Sequence, residues 1–419
     1  MQVGIEALHA FGGTVSLDVA MLARHRGLDH GRFENLLMKE KTVSLPTEDA
    51  VSFAVNAARP VVDALSRAEK DRIELLVTCT ESGLDFGKSL STYVHDLLKL
   101  NRNCRMFELK NACYSGTAGL QMAINFVLAR TSPGAKALVV ATDLSRTFLS
   151  AETEASLQGN WSFTEPSGGS GAVAALVSEL PHVLEIDVGA NGYYGYEVMD
   201  ACRPFPDGDA GDADLSLLSY LDCCENAYLE YKKRIAEVDY ATSFGYLVFH
   251  TPFGGMIKGA HRMMMRKMTK ARPTDIEPDF QRRVTPGLNY CQRVGNIMGA
   301  STLLSLASTI DRGNYEQPQR LGCFSYGSGC CSEFFSGVVT AEGQRRVRRM
   351  GIERQLDQRH PLTLEQYESL VRGVGAIAFG TRDAQPVCDL VPRTAGAAGE
   401  PRLFLKEIKG YHRKYEWVL

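Results

Sequence analysis

Apolar residues fall into short unbroken runs along the first half of the chain, and helical spacing follows most of them. Ile73-Glu74-Leu75-Leu76-Val77-Thr78-Cys79 reads as a buried strand, with a helix over about 90–100 behind it. A strand ending at Leu109 leads into a helix after Cys113, where Leu120, Ile124, Val127 and Leu128 repeat on one face until Pro133-Gly134 stops them. Residues 137–141 and 171–177 are further strand-like runs. Strands this apolar, alternating with helices, predict a parallel-rich sheet covered on both faces.

The second half carries a similar pattern with different inserts. Residues 183–188 open it as a strand, a polar Asp- and Gly-rich stretch follows over 206–214, and a helix is predicted over 215–238. Residues 245–249 form a short strand leading into His250, a helix begins near Gly255, and another covers 296–310 with Asn296 as its N-cap. Gly327-Ser328-Gly329 lies between two apolar runs and predicts a hairpin turn, while 394–399 reads as a surface loop. The expected organisation is two similar halves, 1–178 and 179–419, sharing one core.

Composition narrows the classes. The 419 residues are 44% hydrophobic and 23% charged, with a formal net charge of −3, which disfavours a general nucleic-acid binder. No apolar stretch approaches the roughly 20 residues that cross a bilayer, and the start shows no export signal. The 11 cysteines have no paired metal spacing, so a reduced, cytoplasmic protein without disulfides, zinc site or membrane contact is expected.

Cys113 is the first candidate for chemistry. It stands where a strand turns into a helix, and the peptide dipoles there favour a thiolate, so an easily ionised thiol is expected. Glu81, His250 and the Gly327-Ser328-Gly329 turn each follow a predicted strand, at the carboxyl edge where open α/β sheets bind ligands. A thiolate, a carboxylate and an imidazole gathered there would be a nucleophile with acid–base help. Taken singly, Glu81 reads equally as a surface carboxylate, His250 as a buried histidine satisfied by backbone, Asn296 as a cap, and the glycine-rich turn as only a turn.

Together the motifs say more. Lys110-Asn111-Ala112-Cys113-Tyr114-Ser115-Gly116-Thr117, Phe249-His250-Thr251-Pro252-Phe253, Val294-Gly295-Asn296-Ile297, Ser325-Tyr326-Gly327-Ser328-Gly329 and Thr80-Glu81-Ser82-Gly83 resemble the 3-hydroxy-3-methylglutaryl-CoA synthase family. Residues 87–93, 101–110 and 214–222 look most like its variants from polyketide β-branching cassettes. The resemblance implies a thiolase-like α/β fold of two duplicated βαβαβ halves, layered α-β-α-β-α, in a homodimer. It implies Cys113 as nucleophile, Glu81 as base, and His250 as hydrogen-bond and proton donor. Asn296, Gly327 and Ser328 would bind substrate, with Tyr220 and Asp143 close by.

The same resemblance implies substrates carried as phosphopantetheine thioesters on acetyl-donor and acceptor acyl carrier proteins, with no tightly bound cofactor. A basic, methionine-rich stretch, with Lys258, His261, Arg262, Arg266, Lys267, Lys270 and Arg272 among Met263, Met264, Met265 and Met268, is a candidate rim for an acidic carrier protein. Arg32 is a further candidate there. The alternatives are a mevalonate-pathway synthase acting on free CoA thioesters, a decarboxylating ketosynthase, and a silent carrier-protein scaffold.

Overall fold

The computed structural model describes residues 2–145, 161–205, 208–373, 375–392 and 399–419. Among them a 9-stranded sheet organises the chain. Its strands are β1 (Gly4–Phe11), β2 (Ile73–Cys79), β3 (Arg105–Leu109), β4 (Lys136–Leu144), β5 (Ser170–Ser178), β6 (Leu184–Gly195), β7 (Tyr246–Phe249), β8 (Gln319–Gly327) and β9 (Cys331–Val339). Their order is β7-β8-β9-β6-β1-β5-β4-β2-β3. Every residue of β4 and β5 is buried, as expected for runs covered on both faces.

The order exposes the duplication. In the first half, β1 pairs antiparallel with the last strand β5, β5 antiparallel with β4, and β4 parallel with β2. In the second half, β6 pairs antiparallel with the last strand β9, β9 antiparallel with β8, and β8 parallel with β7. The first half adds β3 at its edge, and the halves join through a short antiparallel pairing of β1 with β6. The expected single carboxyl edge is therefore wrong: followed through the antiparallel pairs, β7 and β8 run opposite to β2, β3 and β4. The end of β8 nevertheless meets the segment after β3, where Gly327 stands against Asn111 and Tyr114.

Six helices define the layers: α1 (Ala50–Asp63), α2 (Ser91–Leu97), α3 (Ser115–Ala129), α4 (Ala213–Arg234), α5 (Gly254–Thr269) and α6 (Ser301–Arg312). One outer core packs α1 and α2 on the first half of the sheet, around Phe53, Val61 and Leu138. A middle core gathers Leu120 and Ile124 of α3, Leu303 and Leu306 of α6, and strand residues of both halves. The second outer core packs α4 and α5 on β6, β8 and β9. The middle layer is tight because its helix carries glycines: a Cβ on Gly116 would stand 2.1 Å from the Gly299 carbonyl oxygen.

Two elements differ from expectation. The helix predicted from Asn296 starts at Ser301, behind a 3-10 turn over Met298–Ala300. Asn296 Oδ1 accepts from the Met298 amide (3.0 Å) and from Ser301 Oγ (3.0 Å), so the side chain caps that turn rather than the helix. The tail also holds a hairpin, Arg402–Lys409 with His412–Val418, that the sequence reading lacked. It covers α1, where Asn56 exchanges two hydrogen bonds with the Leu403 backbone. Of the expected loop over 394–399, all but Gly399 lies outside the described residues, as does Pro206 of the polar insert.

Candidate active site

The carboxylate is placed by a buried aspartate. Asp143, near the end of β4, accepts at Oδ1 from Thr80 Oγ1 (3.0 Å), the Glu81 amide (2.7 Å), the Ser82 amide (3.1 Å) and Ser82 Oγ (3.1 Å). Its Oδ2 accepts from the Gly299 amide at 3.2 Å. Asp143 is fully buried, so it moulds the turn after β2 and ties it to the segment behind Asn296. All of these contacts go to backbone and hydroxyl groups of the turn and of Gly299, which puts Asp143 directly behind Glu81.

Cys113 closes on that turn from the other side. It lies one residue ahead of Tyr114, the N-cap of α3, and its Sγ–H donates to Glu81 Oε1 at 3.6 Å. The expectation of an easily ionised thiol is overturned. Burial pushes the Cys113 thiol well up, and the negative charges of Glu81 and Asp143 push it further, which outweighs the helix terminus. Burial and Asp143 also raise the Glu81 carboxyl, while Arg203 pulls it down. The resting pair is a thiol handing a hydrogen bond to a weakly acidic carboxyl group.

The second half supplies a different kind of group. The His250 amide donates to the Phe324 carbonyl at 2.8 Å, which fixes the residue beyond the end of β7, and Tyr220 Oη donates to the His250 carbonyl at 2.7 Å. Tyr220 is thus a buried prop for His250. The His250 ring is buried, its Nδ1 has no partner among the described residues, and burial pushes its pKa down to about 3. A neutral imidazole carries one N–H that can donate a hydrogen bond.

Gly327 brings the turn after β8 against the nucleophile segment. A Cβ there would stand 2.6 Å from the Tyr114 amide nitrogen and 2.9 Å from the Asn111 carbonyl oxygen, so only glycine fits. Ser328 follows it, partly exposed. The Asn296 amide donates to the Ser167 carbonyl at 2.7 Å, and its Oδ1 is spent on the 3-10 turn.

The basic rim is smaller than the sequence suggests. His261 is buried beside Asp279 (3.0 Å), Lys258 pairs with Glu277 (2.9 Å), Lys267 with Glu225, and Arg272 with Asp275 (2.9 Å). Arg262 and Arg266 are exposed on α5, without an ion pair among the described residues. The methionines turn inward: Met264 and Met265 are buried in the outer core, with Met263 and Met268 packed against it. Arg32 sits on the short helix His30–Leu36, against which the start of α5 packs through Gly254 and Gly255.

Comparison with known proteins decides the family. The family model "Hydroxymethylglutaryl-coenzyme A synthase N terminal" matches residues 1–181, and its C-terminal counterpart matches 262–415. The chain belongs to the hydroxymethylglutaryl-coenzyme A synthase family. It is 63% identical, over all of both chains, to the polyketide biosynthesis 3-hydroxy-3-methylglutaryl-ACP synthase PksG of Bacillus subtilis. It is 32% identical to the hydroxymethylglutaryl-CoA synthase of Enterococcus faecalis, covering 88% of this chain and 91% of that one. Among solved structures, the curacin pathway HMG synthase in complex with holo donor-ACP superposes with a TM-score of 0.95 at 62% identity, covering 100% of both chains.

As an HMG synthase the chain is an acyltransferase that forms a carbon–carbon bond, on the thiolase-like fold. Two residues of this synthase escaped the sequence reading. Asp200, fully buried, accepts from the Gly329 amide (2.8 Å) and from Tyr326 Oη (2.6 Å), and so holds the glycine-rich turn. Arg203 reaches Ser82 Oγ at 3.3 Å from the ribbon Ala201–Phe205/Gly208–Gly211. Only strand pairing reveals them, since neither sits in a periodic run or a glycine motif. No described cluster of three His, Cys, Asp or Glu side chains is placed to hold a metal, and no described helix is long and apolar enough to cross a membrane.

Proposed function

We propose that this chain acts in polyketide β-branching, moving an acetyl group from a donor acyl carrier protein onto Cys113. The acetyl carbon is then added to the β-ketone of a β-ketoacyl thioester on an acceptor carrier protein, and hydrolysis frees the branched product. The observation that carries the reading is the 3.6 Å contact of Cys113 Sγ with Glu81 in a chain 63% identical to a named HMG-ACP synthase. The complex of the curacin synthase with its holo donor-ACP supports carrier-bound phosphopantetheine thioesters as substrates. The reading divides the chain at 178/179, with Glu81 and Cys113 in one half and His250, Asn296 and Ser328 in the other.

Each residue then has a task. Glu81 takes the Cys113 proton as sulfur attacks the acetyl thioester, and the proton leaves on the departing phosphopantetheine thiol. Glu81, ionised again, removes a proton from the acetyl methyl group. Amides of Cys113 and Ser328 aimed at the enolate oxygen would stabilise it by about 3 kcal/mol each. Neutral His250 donates to the acceptor ketone as charge builds there, and Asn296 borders the thioester. The proton removed by Glu81 balances the one the tertiary alkoxide takes up. Arg262, Arg266, Lys258 and Arg32 form the rim offered to an acidic carrier protein, with Arg262 and Arg266 the cations left to meet it.

Intact-protein mass measurement tests the reading. Acetyl-carrier protein should add one acetyl group to the enzyme, Cys113→Ser should stay unmodified, and acetyl-CoA should label far more slowly. Equal labelling by acetyl-CoA would favour the mevalonate-type synthase, and no labelling by either would refute Cys113 as the acyl carrier.

A further inference from the structure

The Asp- and Gly-rich insert after β6 folds into a ribbon that reaches the catalytic turn. Arg203 on its first strand is only 11% exposed along its side chain, although its neighbour Asp209 is 45% exposed. Its Nε donates to Asp209 Oδ1 at 2.7 Å, and a second nitrogen donates to Ser82 Oγ at 3.3 Å. Ser82 Oγ in turn donates to Asp143 Oδ1 at 3.1 Å, the oxygen that also receives the Glu81 amide at 2.7 Å. A continuous chain of hydrogen bonds therefore runs from the ribbon to the backbone of the base.

Charge makes this chain matter. Glu81 faces Asp143 from β4, Cys113 from the segment before α3, and Arg203 with Asp209 from the ribbon. Glu108 on the neighbouring β3 is turned away, accepting from the Leu90 amide at 2.6 Å. Glu81, Asp143 and Cys113 all become anions when they lose a proton, and Arg203 is a cation that favours the ionised form of each. Water would screen these charges poorly in so buried a place, so one guanidinium weighs heavily.

We propose that Arg203 is a positioning residue of this active site, setting the charge balance on Glu81 and Cys113 from the ribbon, with Asp209 holding it partly in check. The proposal rests on the reading that Glu81 is the base. Arginine suits the task because its fork can grip Asp209 and Ser82 together while staying charged. Burying a guanidinium without a use for its charge would only cost stability.

Two readouts separate this inference from the reading beneath it. The first is exchange of acetyl methyl protons in D2O against pH, which needs Glu81 as base. The second is alkylation of Cys113 by iodoacetamide against pH, which needs no substrate or carrier protein. Arg203→Met should move both acid-side midpoints upward by about one pH unit, the size expected for one close charge. Arg203→Lys should restore most of that shift, and Asp209→Asn should move the midpoints downward. A merely structural arginine would change amplitudes and melting temperature but leave the midpoints in place.

Unmoved midpoints in Arg203→Met, or a lysine variant displaced as far as the methionine one, would overturn the proposal. Should Arg203→Met fail to fold, Asp209→Asn decides: a downward shift supports the inference, and an unchanged or raised midpoint refutes it. If the wild type takes no acetyl group yet its alkylation midpoint still follows these charges, the reading of the reaction fails and the role of Arg203 stands.

Discussion

The two halves prepare their reactive groups in opposite ways. In the first, Glu81 and Cys113 stand in a web of charge and hydrogen bonds spun by Asp143 and reached by Arg203. In the second, the His250 backbone is fixed by Phe324 and Tyr220, and its ring is buried and neutral, with Nδ1 unpartnered among the described residues. In the proposed reaction the difference would suit two kinds of work. Moving protons between sulfur, carboxylate and a methyl group needs groups whose affinities are close, which burial and shared charge provide. Stabilising charge on an incoming ketone needs a neutral donor held in a fixed, buried place.

The comparison can be broken most strongly at the base. Glu81→Gln should leave Cys113 able to accept acetyl slowly but lower condensation by roughly 10²–10⁴-fold, measured as branched product per turnover. His250→Ala should leave acetylation near the wild-type rate and lower condensation by on the order of 10²-fold. Loss of acetylation in that variant would mean that the halves do not divide the work.

Asp143→Asn sharpens the contrast further, because it replaces an acceptor of several hydrogen bonds by a group half donor. Unfolding free energy should fall by about 1–3 kcal/mol in denaturant titration, with acetyl methyl exchange falling alongside. The smallest effect concerns pH. A carboxyl raised by folding favours the native state below its unfolded pKa and loses that contribution as pH rises through the folded value. Glu81→Gln should therefore raise the melting temperature more at pH 8 than at pH 5, and an equal gain at both would contradict a raised Glu81.

Much of this architecture was legible in the chain because it is periodic or local. Strands 73–79, 137–141 and 171–177 are plain from largely apolar runs, and the place of Cys113 at a strand-to-helix junction is plain as well. What escaped depends on contacts distant in sequence. Arg203 lies just ahead of the glycine- and aspartate-rich stretch, on a strand whose pairing, not its pattern, brings it to Ser82, 121 positions away. The ionisation of Cys113 follows from burial and from Asp143, which no motif conveys. The basic, methionine-rich stretch of α5 reads either as a docking rim or as a solvated helix face with a buried methionine side, and the burial of Met264 and Met265 agrees with the second. The tail hairpin opens on the apolar run Leu403-Phe404-Leu405 without a clean alternation, and its place over α1 rests on Asn56.

The central claim is that proton removal belongs to one half and ketone activation to the other. Deuterium uptake into the acetyl methyl group of acetyl-Cys113 in D2O, followed by intact mass without acceptor, tests it most directly. The account predicts uptake at near wild-type rate in His250→Ala and almost none in Glu81→Gln. Uptake lost in His250→Ala, or kept in Glu81→Gln, would contradict it.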